Sequence, residues 1–153
     1  GNPGGGSALP AGASANWRRL LAGARKAVLL ATGLAVEKHF KDIGEQQELL
    51  ALMADMVMEY FALESVLLRL EKLGAGAGDW RALAFAVYLP GALERLRAWG
   101  RELIGEVTAP AAASRMVAFL DDFCAFKPGG VVAARDRLAA FAIEARGYPR
   151  TMK

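Results

Sequence analysis

Reactive side chains are scarce in this chain: there is one histidine, His39, and one cysteine, Cys124. Carboxylate-bridged metal centres in helical bundles draw on Glu-x-x-His motifs from facing helices, but the residue three positions before His39 is Val36. Tetrahedral zinc takes four nitrogen or sulfur ligands, which one His and one Cys do not supply. His39 follows Glu37-Lys38 and reads as a solvated imidazole near a helix C-terminus, where its cation is favourable. Cys124 reads as a buried, inert thiol rather than half of a Cys–His dyad. Glu64 and Glu71 stand seven residues apart on one helical face. Buried together they could act as acid and base; alternatively each reaches out at the bundle edge or pairs with an arginine from a neighbouring helix. No Gly-x-Ser-x-Gly elbow occurs, and the glycine-rich segments lack a Walker lysine and a preceding strand. No residue is therefore assigned a catalytic, cofactor-binding or metal-ligating role.

The elements that hold these residues are helical. The stretch from Glu45 to Leu73 contains no Pro or Gly. Glu48, Asp55, Glu59, Arg69 and Lys72 share a polar stripe on it, while Leu49, Leu50, Leu52, Met53, Met56, Val57, Tyr60, Leu63, Val66, Leu67, Leu70 and Leu73 occupy most of the remaining girth. A helix apolar on most of its circumference is expected to be wrapped by others, so it is read as the central rod of the fold. Met53, Met56, Met58 and Met116 are read as core gap-fillers. A preceding helix starts near Ser14 or Asn16, both good N-caps, and runs to about Phe40. Gly23 and Gly33 within it each cost about 1 kcal/mol relative to Ala and are read as places where another helix comes close. Gly44 is suited to a left-handed C-terminal position. After the Gly74–Gly78 loop, Asp79 caps a third helix. Pro90 either kinks it or divides it in two. A fourth helix opens at Thr108 with Pro110 in its first turn and runs to about Phe126. A fifth covers about Val131 to Arg146, with Leu138, Phe141 and Ile143 as its apolar positions, and Gly147 and Pro149 stop it. No segment alternates with period two between turn residues. The expected fold is all-α: an antiparallel bundle of four to five helices around a long central one.

The totals agree with one domain. The chain has 153 residues, of which 54% are apolar, and a net charge of +3. That apolar share exceeds the usual globular range of about 45–50%, so part of it is expected to form an exposed patch that needs a partner. Basic residues are dispersed among acidic ones, which argues against nucleic acid as a partner. No apolar run approaches the roughly 20 residues that span a bilayer, and the N-terminus lacks the pattern of a signal peptide. With a single cysteine, a reducing, cytoplasmic setting is expected. Residues 1–14, Gly-, Pro-, Ala- and Ser-rich, read as a flexible linker or cloning remnant ahead of a domain at 15–150, with a short tail at 151–153. Lacking an initiator Met, the chain reads as a piece of a longer polypeptide.

Two stretches carry a family likeness. The first spans Lys26–Leu73, with Lys38-His39-x-Lys41-x-Ile43, Glu45-Gln46-Gln47, Leu49-Leu50, Ala54-Asp55, Tyr60-Phe61-Ala62 and Val66-Leu67-x-Arg69. The second is the end of the chain, Ile143-Glu144-Ala145-Arg146-Gly147-Tyr148-Pro149. Together they resemble the C-terminal helical extension of very-long-chain-type acyl-CoA dehydrogenases; the likeness is close in the first two helices and loose between Gly74 and Gly130. Pro90 departs from that family's pattern.

The resemblance implies a parent flavoprotein of fatty acid metabolism that oxidises an acyl-CoA thioester to the trans-2-enoyl-CoA. A glutamate takes the α proton, FAD the hydride, and electron-transferring flavoprotein the electrons. No position here matches the flavin-binding part or that glutamate, so the chain itself is expected to carry neither FAD nor catalytic residues. It implies further that the extension packs on the parent's upstream catalytic domain, in a homodimer. In the family's mitochondrial members a helical region near the extension helps hold the inner membrane; here the corresponding upstream stretch is missing or replaced by glycine-rich sequence, which makes a membrane surface the least expected partner. The competing reading is an independent helical module that self-associates through its apolar surplus.

Overall fold

Residues 11–76, 78–127 and 129–147 are described by the structure, a computed structural model. Five α-helices follow in order: α1 (Ala11–Lys38), α2 (Gln47–Lys72), α3 (Trp80–Val107), α4 (Pro110–Phe123) and α5 (Val131–Glu144), with a 3-10 turn at Ile43–Glu45 before α2. Among the described residues there is no strand, as the absence of period-two alternation predicts. Residues 1–10 of the expected linker and the 151–153 tail lie outside the described residues, as do Tyr148 and Pro149. Helix α1 starts at Ala11, ahead of Ser14 and Asn16, so neither of these is its cap.

The rod at the centre is α3, not α2. Helix α3 packs against all four of the others and buries Ala82, Leu83, Phe85, Leu89, Ala92, Leu93, Leu96, Gly100, Leu103, Ile104 and Val107. Helix α2 buries only Leu49, Met56, Leu63, Leu67 and Leu70, a single seam with spacings of seven, seven, four and three. Val57, Val66 and Leu73, expected inside, and Met58, expected to fill a core gap, are exposed, and so are Phe61 and Leu68. Apolar girth measures what a helix could bury, whereas burial depends on how many neighbours arrive. Helix α3 has small residues, Ala82, Ala92 and Gly100, where its neighbours close in. Its long arginines reach sideways to acidic partners on α2 and α4.

Pro90 does not divide α3, which runs unbroken through it with Leu89 and Ala92 buried on either side. The proline ring supplies no N–H to the carbonyl of Ala86, so one rung of the ladder is missing. Packing on both flanks holds the helix across the gap. Asp79 caps α3 as expected, its carboxylate accepting from the Arg81 backbone N–H at 2.9 Å. Thr108 ends α3 instead of opening α4, whose first residue is Pro110; proline suits that position because its missing N–H would have no helical partner there. Gly44 lies in the 3-10 turn rather than in a left-handed cap.

The two glycines of α1 behave oppositely. A Cβ on Gly23 would overlap the carbonyl oxygen of Phe123, the last residue of α4. Carbonyls in a final helical turn have no partner within their own helix, and here one settles over a glycine Cα. Gly33 meets nothing within 4 Å, so the expectation of a close approach there fails among the described residues. Gly100, unremarked in the sequence, makes room for Leu120 of α4, whose Cδ1 lies 2.7 Å from where a Cβ would stand, and for Met56 of α2.

Helix α5 is the least anchored element. It has no buried residue, and Ile143, expected on its apolar side, is 77% exposed. It leans on α3 through half-buried Val131, Ala134, Leu138 and Phe141. Ile143 falls off that row because the spacing of three and four that links these residues skips it.

Candidate functional site

The residues that could have done chemistry are kept apart by the fold. His39 sits just past the end of α1 with Nδ1 3.3 Å from the Asp42 carboxylate, its side chain 21% exposed and so more sheltered than a freely solvated imidazole. Cys124 caps the C-terminus of α4 inside the apolar core. Burial pushes its thiol up to about 11, which leaves almost no thiolate at neutral pH. Cys124 is therefore expected to resist iodoacetamide at pH 8 and to react only as the protein unfolds. Rapid alkylation of native protein, followed by mass spectrometry, would contradict this placement.

Glu64 and Glu71 do not form an acid–base pair. The Glu64 carboxylate accepts from Tyr60 Oη one turn away at 2.8 Å. Glu71 accepts two bonds from the Arg18 guanidinium, at 2.7 and 2.8 Å, and one from Ser14 Oγ at 2.9 Å. Its carboxyl is held below the ordinary value chiefly by Arg18. This is the alternative of an arginine from a neighbouring helix, and the bond ties the start of α1 to the end of α2.

A second carboxylate had no sequence signal beyond its place in the polar stripe. Glu59, with only 9% of its side chain exposed, takes both nitrogens of the half-exposed Arg95 fork, at 2.8 and 3.1 Å, and the Tyr88 hydroxyl. The Arg95 guanidinium also lies over the Tyr88 ring, 5.1 Å from its centroid. Burial pushes the Glu59 carboxyl up, but the bonds from Arg95 and Tyr88 outweigh it and hold the group below the ordinary glutamate value of 4.5. A carboxyl lowered on folding contributes stability in full above its unfolded pKa and loses it as pH falls through the folded one. Glu59, Glu71 and Asp79 are all lowered. Thermal stability is therefore expected to hold steady from neutral pH down to about 5 and to fall below about 4.5. Glu59→Gln, which leaves Arg95 without its counter-charge, is expected to cost about 1–2 kcal/mol at pH 7 and to shrink the acid-induced loss. Melts at pH 3 and pH 7 read both effects; an undiminished acid loss in the variant would assign it to other groups.

Two concavities open on the surface. One, of about 530 Å³, lies between α1, α3 and the start of α5; Trp17, Leu89, Pro90 and Phe126 give it apolar walls, and Arg19 and Lys127 stand at its rim. The other, of about 870 Å³, lies where the 3-10 turn and α2 meet the end of α3 and gathers His39, Glu45, Glu48, Asp55, Glu102 and Glu106. No three His, Cys, Asp or Glu side chains among the described residues are arranged to hold a metal ion. Neither concavity fits a flavin. The first has no carboxylate or hydroxyl for ribose, and the second is lined by acids that repel a pyrophosphate. No helix among the described residues is long and apolar enough to cross a membrane.

What the surface does offer is apolar area on the outer side of the α1–α2 hairpin. Leu29 and Val36 of α1 and Val57, Met58, Phe61 and Leu68 of α2 are all exposed. Contact is the chemistry of such a face, not bond making.

Comparison with known proteins places this architecture. The profile of the acyl-CoA dehydrogenase C-terminal domain family matches residues 23–120, which carry most of α1, all of α2 and α3, and the buried part of α4. A probable acyl-CoA dehydrogenase of Bacillus subtilis is 30% identical over 129 residues, covering 82% of this chain and 22% of that protein. The crystal structure of an acyl-CoA dehydrogenase complexed with FAD from Bacillus anthracis superposes with a TM-score of 0.80 at 27% identity, over 86% of this chain and 23% of that one. The chain thus spans less than a quarter of the length of these relatives. This all-α bundle, whose sequence follows the family profile over most of its length, belongs to the acyl-CoA dehydrogenase C-terminal domain family.

Proposed function

We propose that this chain is the non-catalytic C-terminal helical domain of an FAD-dependent acyl-CoA dehydrogenase of fatty acid β-oxidation. On this reading the domain packs on the catalytic part of a cytoplasmic homodimer that passes electrons to electron-transferring flavoprotein. The supporting observation is the alignment itself: most of this chain corresponds to under a quarter of a probable acyl-CoA dehydrogenase. The separated acids and the buried thiol are in keeping with a domain that holds rather than reacts. FAD in the parent supplies hydride acceptance; this chain's residues contribute packing surface.

The test is to purify the complete polypeptide that carries this sequence, and the segment alone. The complete protein is expected to be yellow and to reduce an electron acceptor when given acyl-CoA; the segment is expected to be colourless and inert. A complete protein without flavin, or turnover by the segment, overturns the proposal. The exposed apolar residues also motivate a second reading, a self-associating module. A tight dimer of the segment by light scattering, with no affinity for a flavoprotein, favours it.

A further inference from the structure

Among the described residues nothing covers the outer face of the α1–α2 hairpin, and three observations bear on what does. The first is its continuity. Ser14 and Arg18 at the start of α1 bond to Glu71 at the end of α2, so the helices run antiparallel. Leu29 and Val36 continue the row that Arg18 and Arg25 begin, at spacings of four and seven, along the edge of α1 next to α2. On α2, Val57, Phe61 and Leu68 each stand three residues before Tyr60, Glu64 and Glu71, the side chains that form the hydroxyl and carboxylate row beside α1. Each is rotated one step outward from it. With Met58, these residues flank one seam as a single apolar strip.

The second feature is Gly33. It lies between Leu29 and Val36 on the same helix, costs about 1 kcal/mol there relative to Ala, and has nothing within 4 Å of where a Cβ would stand. Its counterpart Gly23 is explained by the Phe123 carbonyl. Gly33 has no such reason among the described residues and leaves bare backbone between Leu29 and Val36. The third feature is length: the relatives continue for more than three-quarters of their sequence beyond the part this chain matches.

We infer that the α1–α2 face, centred on the Gly33 notch and Phe61, is the surface by which this domain docks on the remainder of its own acyl-CoA dehydrogenase polypeptide. The inference rests on the function proposed above and adds the face and the occupant. Docking there removes Leu29 and Phe61 from water and brings a partner helix close to the Gly33 backbone. The exposed apolar residues of α5, Val132 and Ile143, stay in solvent.

Hydroxyl-radical footprinting of the complete, wild-type flavoprotein reads this directly. Within the domain Phe61 is 67% exposed and Phe119 on α4 is 45% exposed. Docking reverses that order, and Phe61 is expected to be modified at least about fivefold more slowly than Phe119. Modification in the order of the domain's own exposures overturns the inference. In the complete protein, Leu29→Glu with Phe61→Glu is expected to make this domain at least tenfold more readily released by limited proteolysis. Val132→Glu with Ile143→Glu is expected to leave the release rate unchanged. Because all four side chains are surface groups, circular dichroism of each pair is expected to match wild type. Release by the α5 pair and not by the α1–α2 pair also overturns the inference. FAD absorbance separates the two failures: a complete protein without flavin defeats the parent reading, whereas a yellow protein with Phe61 freely labelled defeats only the choice of face.

Discussion

Gly23→Ala is expected to lower the thermal midpoint of this chain by roughly 4–8 °C, although Ala is the better helix former. In helix interiors Ala is favoured over Gly by about 1 kcal/mol. At position 23 the added methyl meets the Phe123 carbonyl oxygen, a backbone atom that cannot turn aside as a side-chain tip would. Helices α1 and α4 must separate, which opens contacts around Leu120 and Cys124, both in the core. Overpacking of this kind costs about 1–3 kcal/mol and sometimes more; at about 2–4 °C per kcal/mol for a protein of this length, the steric cost outweighs the propensity gain. Gly33→Ala, in the same helix but with open space around it, is expected to raise the midpoint by about 2–4 °C. Melts of the two variants followed by far-ultraviolet circular dichroism give opposite signs if the α1–α4 contact is as described. A rise in both would place Phe123 away from α1.

Leu103→Ala is expected to cost about 2–5 kcal/mol, measured as a shift of the urea midpoint at unchanged slope. Leu103 is fully buried on α3, level with other large core side chains such as Leu96 and Ile104. Truncation leaves a cavity that helices held on several sides do not collapse into. Leu68→Ala, on the outer face of α2 where the side chain is 58% exposed, is expected to change stability by less than about 0.5 kcal/mol. Equal costs at the two positions would restore α2 as the centre.

The helices themselves were legible because each rests on local chemistry. Asp79 caps α3, Pro110 opens α4, and glycines break the chain between α2 and α3 and again before α5; in each case residues within a turn of one another decide the outcome. The family was legible for a related reason: the junction and the second helix carry a run of types that survives as a pattern. Helix ends were less so. Thr108 looked like an N-cap, yet it closes α3, and Ala109 takes the N-cap position of α4. Of the acids singled out, Glu71 found an arginine on a neighbouring helix. Glu59 gave no sign of burial, because its partners Tyr88 and Arg95 lie on another helix.

The sequence by itself determined that this protein is all-helical, where its breaks fall, and which family it belongs to. These follow from periodicity, from Gly and Pro, and from a run of residue types that matches the family. Only the tertiary structure decided which helix lies at the centre, which glycine is filled by a neighbour, and which apolar residues face water. Each of those depends on what arrives from distant parts of the chain: α3 is enclosed because four helices converge on it, and one face of α2 stays bare because none does.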